Sequence, residues 1–477
     1  MPIPPGALAR LRGTLAGSVD DAPGALGSVA TDASGIRGSP EARVLPEGFP
    51  DLVALVRWAV DAGVPLVARG AGTSLDGESV ATRGGVVVDF SRWTAIEAID
   101  PSEQLARVQP GVVNRQLDRA LAEHGLTYPP NPGSGEMSTI GGNVATNASG
   151  PRSFRHGPTR AWVRALDLVD GTGTRWTAGG RYAKASLGPD LLGALVGSEG
   201  TLGLFGAITV RVGLRPARRT GIVLGIPEAH PLGPFIGEVR RSMGPGVSAI
   251  EFVDRGTAEV LRGSGGSSWP TGRGLLLIEV EGSEAEEGDA LARLDRDRGR
   301  LGIPDDPLIF PDADRLWRVR GEAGTALQSR GGEGLREDVA VPLPRLDELL
   351  EVVRTLAERH RVPVHVFGHV GEGNLHPMFA VDPRSATAAA LRAALCEATI
   401  RLGGTISGEH GIGATKAAWL PEQLGAPAVR ALRALKSALD PHGILNPGKL
   451  LPEEGPAGAP PPSGSPSGGA APRTPSA

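Results

Sequence analysis

The stretch PLVARGAGTSLDG, Pro65 to Gly77, runs from an apolar segment of strand character into a loop where glycine recurs at positions 70, 72 and 77. Consecutive small residues let backbone N–H groups converge on one concavity, which suits a phosphate or pyrophosphate. The loop is not a P-loop, because no Gly-Lys-Ser/Thr follows. It also departs from the dinucleotide fingerprint, since Leu75 stands where the third glycine belongs. By itself it reads as a plain turn as readily as an anion cradle.

Working outward, comparable turns stand at the ends of other β-like runs. Gln109-Pro-Gly-Val112 follows the run Ala106–Gln109, and Pro129-Pro-Asn-Pro132 leads into STIGGNVATNASG, Ser138 to Gly150. Asp170-Gly171 and GSEGTLG, Gly197 to Gly203, complete the set. Apolar spacing predicts helices over Phe49–Ala62 and Val113–Glu123, the latter ended by Gly125. Strands are expected at Pro65–Ala68, Gly85–Asp89, Ala106–Gln109, Ala165–Val169 and Ala207–Val212. Beyond Pro216 the texture changes. A strand at Gly274–Glu281, helices at Ser283–Arg300, Leu346–His360 and Thr387–Leu402, and a hairpin over Val364–Phe379 suggest an α+β unit on an antiparallel sheet.

The second half carries FGHVGEGNLHP, Phe367 to Pro377, and SGEHGIG, Ser407 to Gly413. If Glu372-Gly373 forms a two-residue hairpin loop, His369 and His376 are directly opposed and both imidazoles can reach one ion. Glu409 and His410, set between glycines, add a carboxylate and a third imidazole. Two His and one carboxylate is a common set for zinc, manganese or iron.

Length and composition bound the rest. At 477 residues, two or three domains are expected, and the 40% hydrophobic and 21% charged content is that of a soluble globular protein. A net charge of −4, with both signs interspersed, argues against a nucleic-acid surface. Cys396 is the only cysteine, so the chain can form neither an internal disulfide nor a cysteine-ligated iron–sulfur cluster. With no apolar signal core and no bilayer-length run, the expected location is cytoplasmic, peripheral attachment to a membrane remaining open. Residues 452–477, rich in Pro, Gly, Ala and Ser, are expected to be a disordered tail. The expected division is 1–216, 217–451 and that tail.

Six ordered motifs now stand together: RGAGTSLDG, TIGGNVATNASG, GSEGTLG, GHVGEGNLH, GEHGIG and ILNPGK. In this order they resemble an FAD-linked D-2-hydroxyacid dehydrogenase family that includes D-lactate dehydrogenase, D-2-hydroxyglutarate dehydrogenase and the flavin subunit of glycolate oxidase. The resemblance runs from about Thr31 to Leu450. It implies an α+β, two-domain flavoprotein of the vanillyl-alcohol oxidase and p-cresol methylhydroxylase type, with an FAD-binding domain and an antiparallel-sheet substrate domain. It further implies that Arg69, Gly70, Ala71, Gly72, Thr73 and Ser74 wrap the FAD pyrophosphate. Pro132, Ser134, Thr139, Gly141, Gly142 and Asn143 would line the isoalloxazine and ribityl side, continued by Asn147, Ser149 and Gly150. Glu199, Gly200, Thr201 and Ile208 would complete the adenine and diphosphate pocket, and Asn446 joins the cofactor set. Relatives place Tyr-Gly where this chain has His156-Gly157. That branch mostly holds FAD non-covalently.

The implied reaction oxidises a D-2-hydroxyacid (glycolate, D-lactate or D-2-hydroxyglutarate class) to the 2-oxoacid. A divalent metal, zinc first and manganese or iron as alternatives, would sit on His369, His376 and Glu409 and polarise the hydroxyl. His410 would act as general base, Arg320 and Arg336 would hold the carboxylate, and Asn374 would orient substrate or a ligand. The partners implied are a small 2-hydroxyacid and an electron acceptor: an iron–sulfur subunit, an electron-transfer flavoprotein, a quinone or a cytochrome. A homodimer is compatible with the sequence. Two other readings stay open at this point, a metal-dependent hydrolase without flavin and a flavin subunit inactive without its partner.

Overall fold

The computed structural model describes residues 3–265, 269–321 and 334–452. The tail expectation therefore falls, apart from Pro452, outside the described residues.

Among the described residues the first half holds two larger sheets and a two-stranded one, Leu126–Thr127 with Gly213–Leu214. Four strands run in the order Ser18–Asp20, Ala42–Leu45, Val86–Asp89 and Leu66–Arg69, the last three parallel. Parallel strands are covered on both faces, and Val86, Val87 and Val88 are accordingly fully buried. The helix Phe49–Ala62 covers this sheet with Leu52, Leu55, Val56 and Ala59. It begins after Gly48 with Pro50 in its first turn and stops at Gly63, whose φ of 63° is the left-handed stop that glycine adopts without strain.

A second, antiparallel sheet has the order Ile96–Asp100, Leu105–Val108, Leu204–Arg211, Val163–Val169 and Arg175–Gly179. The loop after Leu66–Arg69 and the short helix Ile140–Thr146 meet between the two sheets. Their approach is close: a Cβ on Gly70 would stand 2.4 Å from Thr139 Oγ1, and one on Gly141 would stand 2.6 Å from Pro110 Cβ.

The second half is built on an eight-stranded antiparallel sheet with Arg218–Gly225, Gly274–Gly282, Val247–Asp254, Val364–Gly368 and Asn374–Phe379 at its centre. One face carries the largest core, where Phe235, Leu276, Ile278, Leu349, Val353 and Phe379 pack under the helices Leu232–Met243 and Leu346–His360. The other face carries a smaller core around Val253, Leu275, Leu277 and Trp269, and through Glu279 and Glu281 it meets the first half.

Two features tie the halves together. Arg152 clasps Glu279 through Nε at 2.8 Å and a terminal nitrogen at 3.1 Å, Ser153 Oγ donates to Glu372 at 2.5 Å, and His156 Nε2 meets Glu281. The chain's end also comes back to the first half. Leu66 N–H donates to Ile444 O at 2.8 Å and Asn446 N–H to Leu66 O at 2.8 Å, so the ILNPGK segment borders the first parallel sheet.

Candidate functional site

The two halves enclose a cleft of about 940 Å³. One wall is the glycine-rich surface: Gly70 to Leu75, Asn131 to Met137, Thr139, Gly142, Asn143, Thr146 and Ser149. A smaller extension, bordered by Arg69, Gly141, Glu199, Gly200 and Phe205, continues it inward. The opposite wall is polar and comes from the second half: Glu251, Arg320, Arg336, His369, His376, Glu409 and His410.

Most residues expected to face a flavin do border this space: Arg69 to Ser74, Pro132, Ser134, Thr139, Gly141 to Asn143, Ser149, Glu199 and Gly200. Five others do not. Asn147, with φ 53°, ends the helix Ile140–Thr146 and accepts from Arg160 N–H. Gly150 is pressed against Asn131 O, Thr201 donates to Ser198 O, and Ile208 is a core residue of its strand. Asn446 ties two cofactor loops together, its Nδ2 donating to Glu78 O at 2.8 Å and Glu199 O at 2.7 Å. His156 is held by Glu281 and does not border the cleft.

The wall fits a flavin in kind. It is rich in glycine and small polar residues, and the buried Asn143 Nδ2 has no hydrogen-bond partner among the described residues.

The histidine hairpin differs from the expected one. Phe367, not His369, stands opposite His376, and a 3₁₀ turn over Val370–Glu372 replaces the two-residue loop. Glu372 and Asn374 N–H both donate to His369 O and Gly373 N–H donates to Val370 O, which closes the wider loop, while the strand Val339–Ala340 pairs with Leu375 and Asn374 along the other edge of Asn374–Phe379. Gly373, at φ 80°, lets Val341 approach so closely that a Cβ there would lie 1.9 Å from its carbonyl oxygen. His369 thus leaves the strand and reaches His376 from the loop, with ring centroids 5.0 Å apart.

The three donors still converge. Nε2 of His369 and Nε2 of His376 lie 3.1 and 3.3 Å from the same Glu409 oxygen. One ligand atom from each residue falls within 4.8 Å of the other two, a nitrogen–nitrogen–oxygen set suited to a divalent cation. Burial pulls the His369 imidazole down, but Glu409 and Glu251 outweigh it and lift its pKa to about 10. The same pairing holds Glu409 well below the usual carboxylate range, against a burial that opposes it.

Buried carboxylates orient both imidazoles from behind, as second partners of metal-binding histidines commonly do. His369 Nδ1 lies 2.7 Å from Glu251, and His376 Nδ1 lies 3.5 Å from Asp338. Asp338 also organises the opposing loop: its Oδ2 accepts from Glu409 N–H at 2.7 Å, His410 N–H at 2.8 Å and Ser407 Oγ at 3.2 Å. Asn374 is buried behind this assembly, its Nδ2 donating to Asp338 at 2.7 Å, and it does not border the cleft. His410 does border it, stacked on His376 with ring centroids 5.1 Å apart.

The two arginines separate. Arg320 is engaged by Glu251 through two hydrogen bonds, at 2.7 and 3.3 Å, and lies over the Phe367 ring. Burial favours neutral Glu251, yet Arg320 and His369 hold its pKa at about 2. Arg336 has no carboxylate partner among the described residues, and its half-burial alone depresses its pKa. Glu251, Glu279 and Asp338 were not singled out in the sequence. Their signal was present as acids inside apolar strand runs, in AIEFV, LIEVE and LREDVAV.

Comparison with known proteins decides the family. The family of FAD linked oxidases, C-terminal domain, matches residues 215–450, and the FAD binding domain family matches residues 40–179. The glycolate oxidase subunit GlcD of Bacillus subtilis is 32% identical, over 86% of this chain and 89% of its own length. The chain belongs to the FAD-linked oxidases. It is an FAD-linked oxidoreductase. The D-lactate dehydrogenase of Archaeoglobus fulgidus is 34% identical, over 86% of this chain and 90% of that protein. The D-2-hydroxyglutarate dehydrogenase of Stutzerimonas stutzeri is 30% identical, over 87% and 91%. Among solved structures, p-cresol methylhydroxylase superposes with a TM-score of 0.79 at 15% identity, covering 95% of this chain and 99% of that one, which establishes the fold. Among the described residues, no helix is long and apolar enough to cross a membrane.

Proposed function

We propose that this FAD-linked oxidoreductase oxidises a D-2-hydroxyacid to the 2-oxoacid, with a divalent cation at His369, His376 and Glu409. The observation that carries this reading is the convergence in one cleft of the glycine-rich wall, the two-His, one-Glu set and Arg336. When bound, the flavin accepts hydride and the cation acts as a Lewis acid toward the substrate hydroxyl.

The chain's own residues do the rest. Arg336 takes the substrate carboxylate through two parallel N–H donors, which fixes the α-carbon in place and direction. His410, whose Nε2 lies 3.8 Å from Glu409, accepts the hydroxyl proton. Glu251 and Asp338 hold the two ligand imidazoles with Nε2 aimed inward, and Asn374 holds Asp338. Arg320 acts through Glu251 on His369. The cofactor loops would present backbone N–H groups to the pyrophosphate.

The test is the flavin spectrum of the purified protein, followed anaerobically with D-2-hydroxyacids, with and without a chelator. Bleaching that chelation abolishes and added metal restores is expected. Bleaching unaffected by complete metal removal, verified by elemental analysis, would exclude the cation's part; a chain unable to take up FAD would sink the whole reading and favour a hydrolase.

A further inference from the structure

This inference rests on reading the cleft as a 2-hydroxyacid site, and it concerns which acids the site admits. Sheet register decides what surrounds the ligand histidines. His376 stands across from Phe367, and Met378, two residues on, stands across from Arg336. Residues directly opposite on adjacent strands share a face. Arg336, Met378, His376 and Phe367 therefore line one wall, and Phe367 and Met378 form an apolar cluster with Val260, with the Arg320 guanidinium over the Phe367 ring.

The charges along the cleft are nearly all committed. Arg320 is held by Glu251, Arg152 by Glu279, and Arg115 lies 3.2 Å from Glu136. Arg318 is exposed, on a rim that also carries Arg115, Glu136, Asp312 and Asp314. Arg336 is the half-buried cation left for a ligand among the described residues.

We propose that the substrate is a 2-hydroxy monocarboxylate with an apolar side chain, and that the cleft discriminates against 2-hydroxy dicarboxylates. One carboxylate satisfies Arg336. A second, carried on the side chain, would lie against Phe367 and Met378, where the guanidinium over the Phe367 ring, Arg320, is already engaged by Glu251, or reach a rim where Arg115 and Arg318 stand among Glu136, Asp312 and Asp314. A carboxylate moved out of water onto apolar surface without a free cation is disfavoured or takes up a proton. The chemistry is the same for both classes: the α-carbon gives a hydride to the flavin and the hydroxyl gives its proton to His410. Discrimination therefore lies in binding and orientation.

The experiment is anaerobic stopped-flow reduction of the FAD- and metal-loaded full chain. D-lactate, D-2-hydroxybutyrate and D-2-hydroxy-4-methylvalerate are compared with D-malate and D-2-hydroxyglutarate. The best monocarboxylate is expected to lead by about 100-fold in second-order rate constant. Dicarboxylates that match or exceed the monocarboxylates would overturn this inference while leaving the hydroxyacid chemistry standing. Reduction by neither class would overturn both. Met378→Lys, which sets an ammonium beside Arg336, is expected to narrow the ratio by about tenfold or more. An unchanged ratio in a folded, flavin-loaded M378K protein would count against the proposal.

Discussion

The two walls of the cleft are made by different physics. The glycine-rich wall works by what it leaves out: Gly70 and Gly141 admit neighbouring side chains and backbone at distances where a Cβ would collide, and the surface presents main chain. The opposite wall works by what it pairs: Glu251 with Arg320 and His369, Asp338 with His376 and Asn374, Glu279 with Arg152. A surface made of backbone tolerates loss of side chains but not added volume. A surface made of buried ions tolerates volume poorly and loss of a charge still less. Substitutions should therefore separate flavin occupancy from metal occupancy, and their effects can be ranked.

The largest effect is expected from Glu409→Gln, which removes the carboxylate shared by both imidazoles. Bound metal should fall to background by elemental analysis and kcat/KM by about 10³-fold, with flavin absorbance retained. Equal loss of flavin and metal would show that the walls are not separable. Next comes Arg336→Met, expected to lower kcat/KM by about 100-fold, mostly through KM, with metal content unchanged. If Arg320→Met instead raised KM while metal affinity held, the assignment of the two arginines would be reversed. Glu251→Gln should weaken metal binding by about 10- to 100-fold in a competition titration, since His369 keeps its position but loses its orienting charge.

On the glycine side, Gly141→Ala forces a Cβ toward Pro110 and should cost about 1–3 kcal/mol in denaturant unfolding. It should also lower flavin content at constant metal affinity. The smallest effect belongs to the seam between the halves. Ser153→Ala removes the hydrogen bond to Glu372 and should cost about 1 kcal/mol, read from the same unfolding curves.

Local signals were strong where an element's stability is local. Phe49–Ala62 and Leu346–His360 were readable to the residue because a glycine or proline sets the start or stop of one and an apolar stripe marks the other. The strands Arg218–Gly225 and Val247–Asp254 escaped notice. Glycine and charge interrupt their apolar runs, and they are held by neighbours distant in sequence. Site residues followed the same division. His369, His376, Glu409 and His410 stand out in short glycine-bounded motifs, whereas Glu251 and Asp338 look like ordinary strand acids until their partners are known.

The sequence alone determined the kind of chemistry on each wall: loops able to offer backbone to a flavin, and two imidazoles with a carboxylate able to hold a cation. Tertiary structure decided how those groups are arranged. It moved His369 out of register, because the 3₁₀ turn over Val370–Glu372 closes on the His369 carbonyl. It also committed Arg320 to Glu251, 69 residues away, and left Arg336 without a carboxylate partner among the described residues. Which cation remains available depends on where each buried charge finds its partner, and that is settled only when the chain has folded.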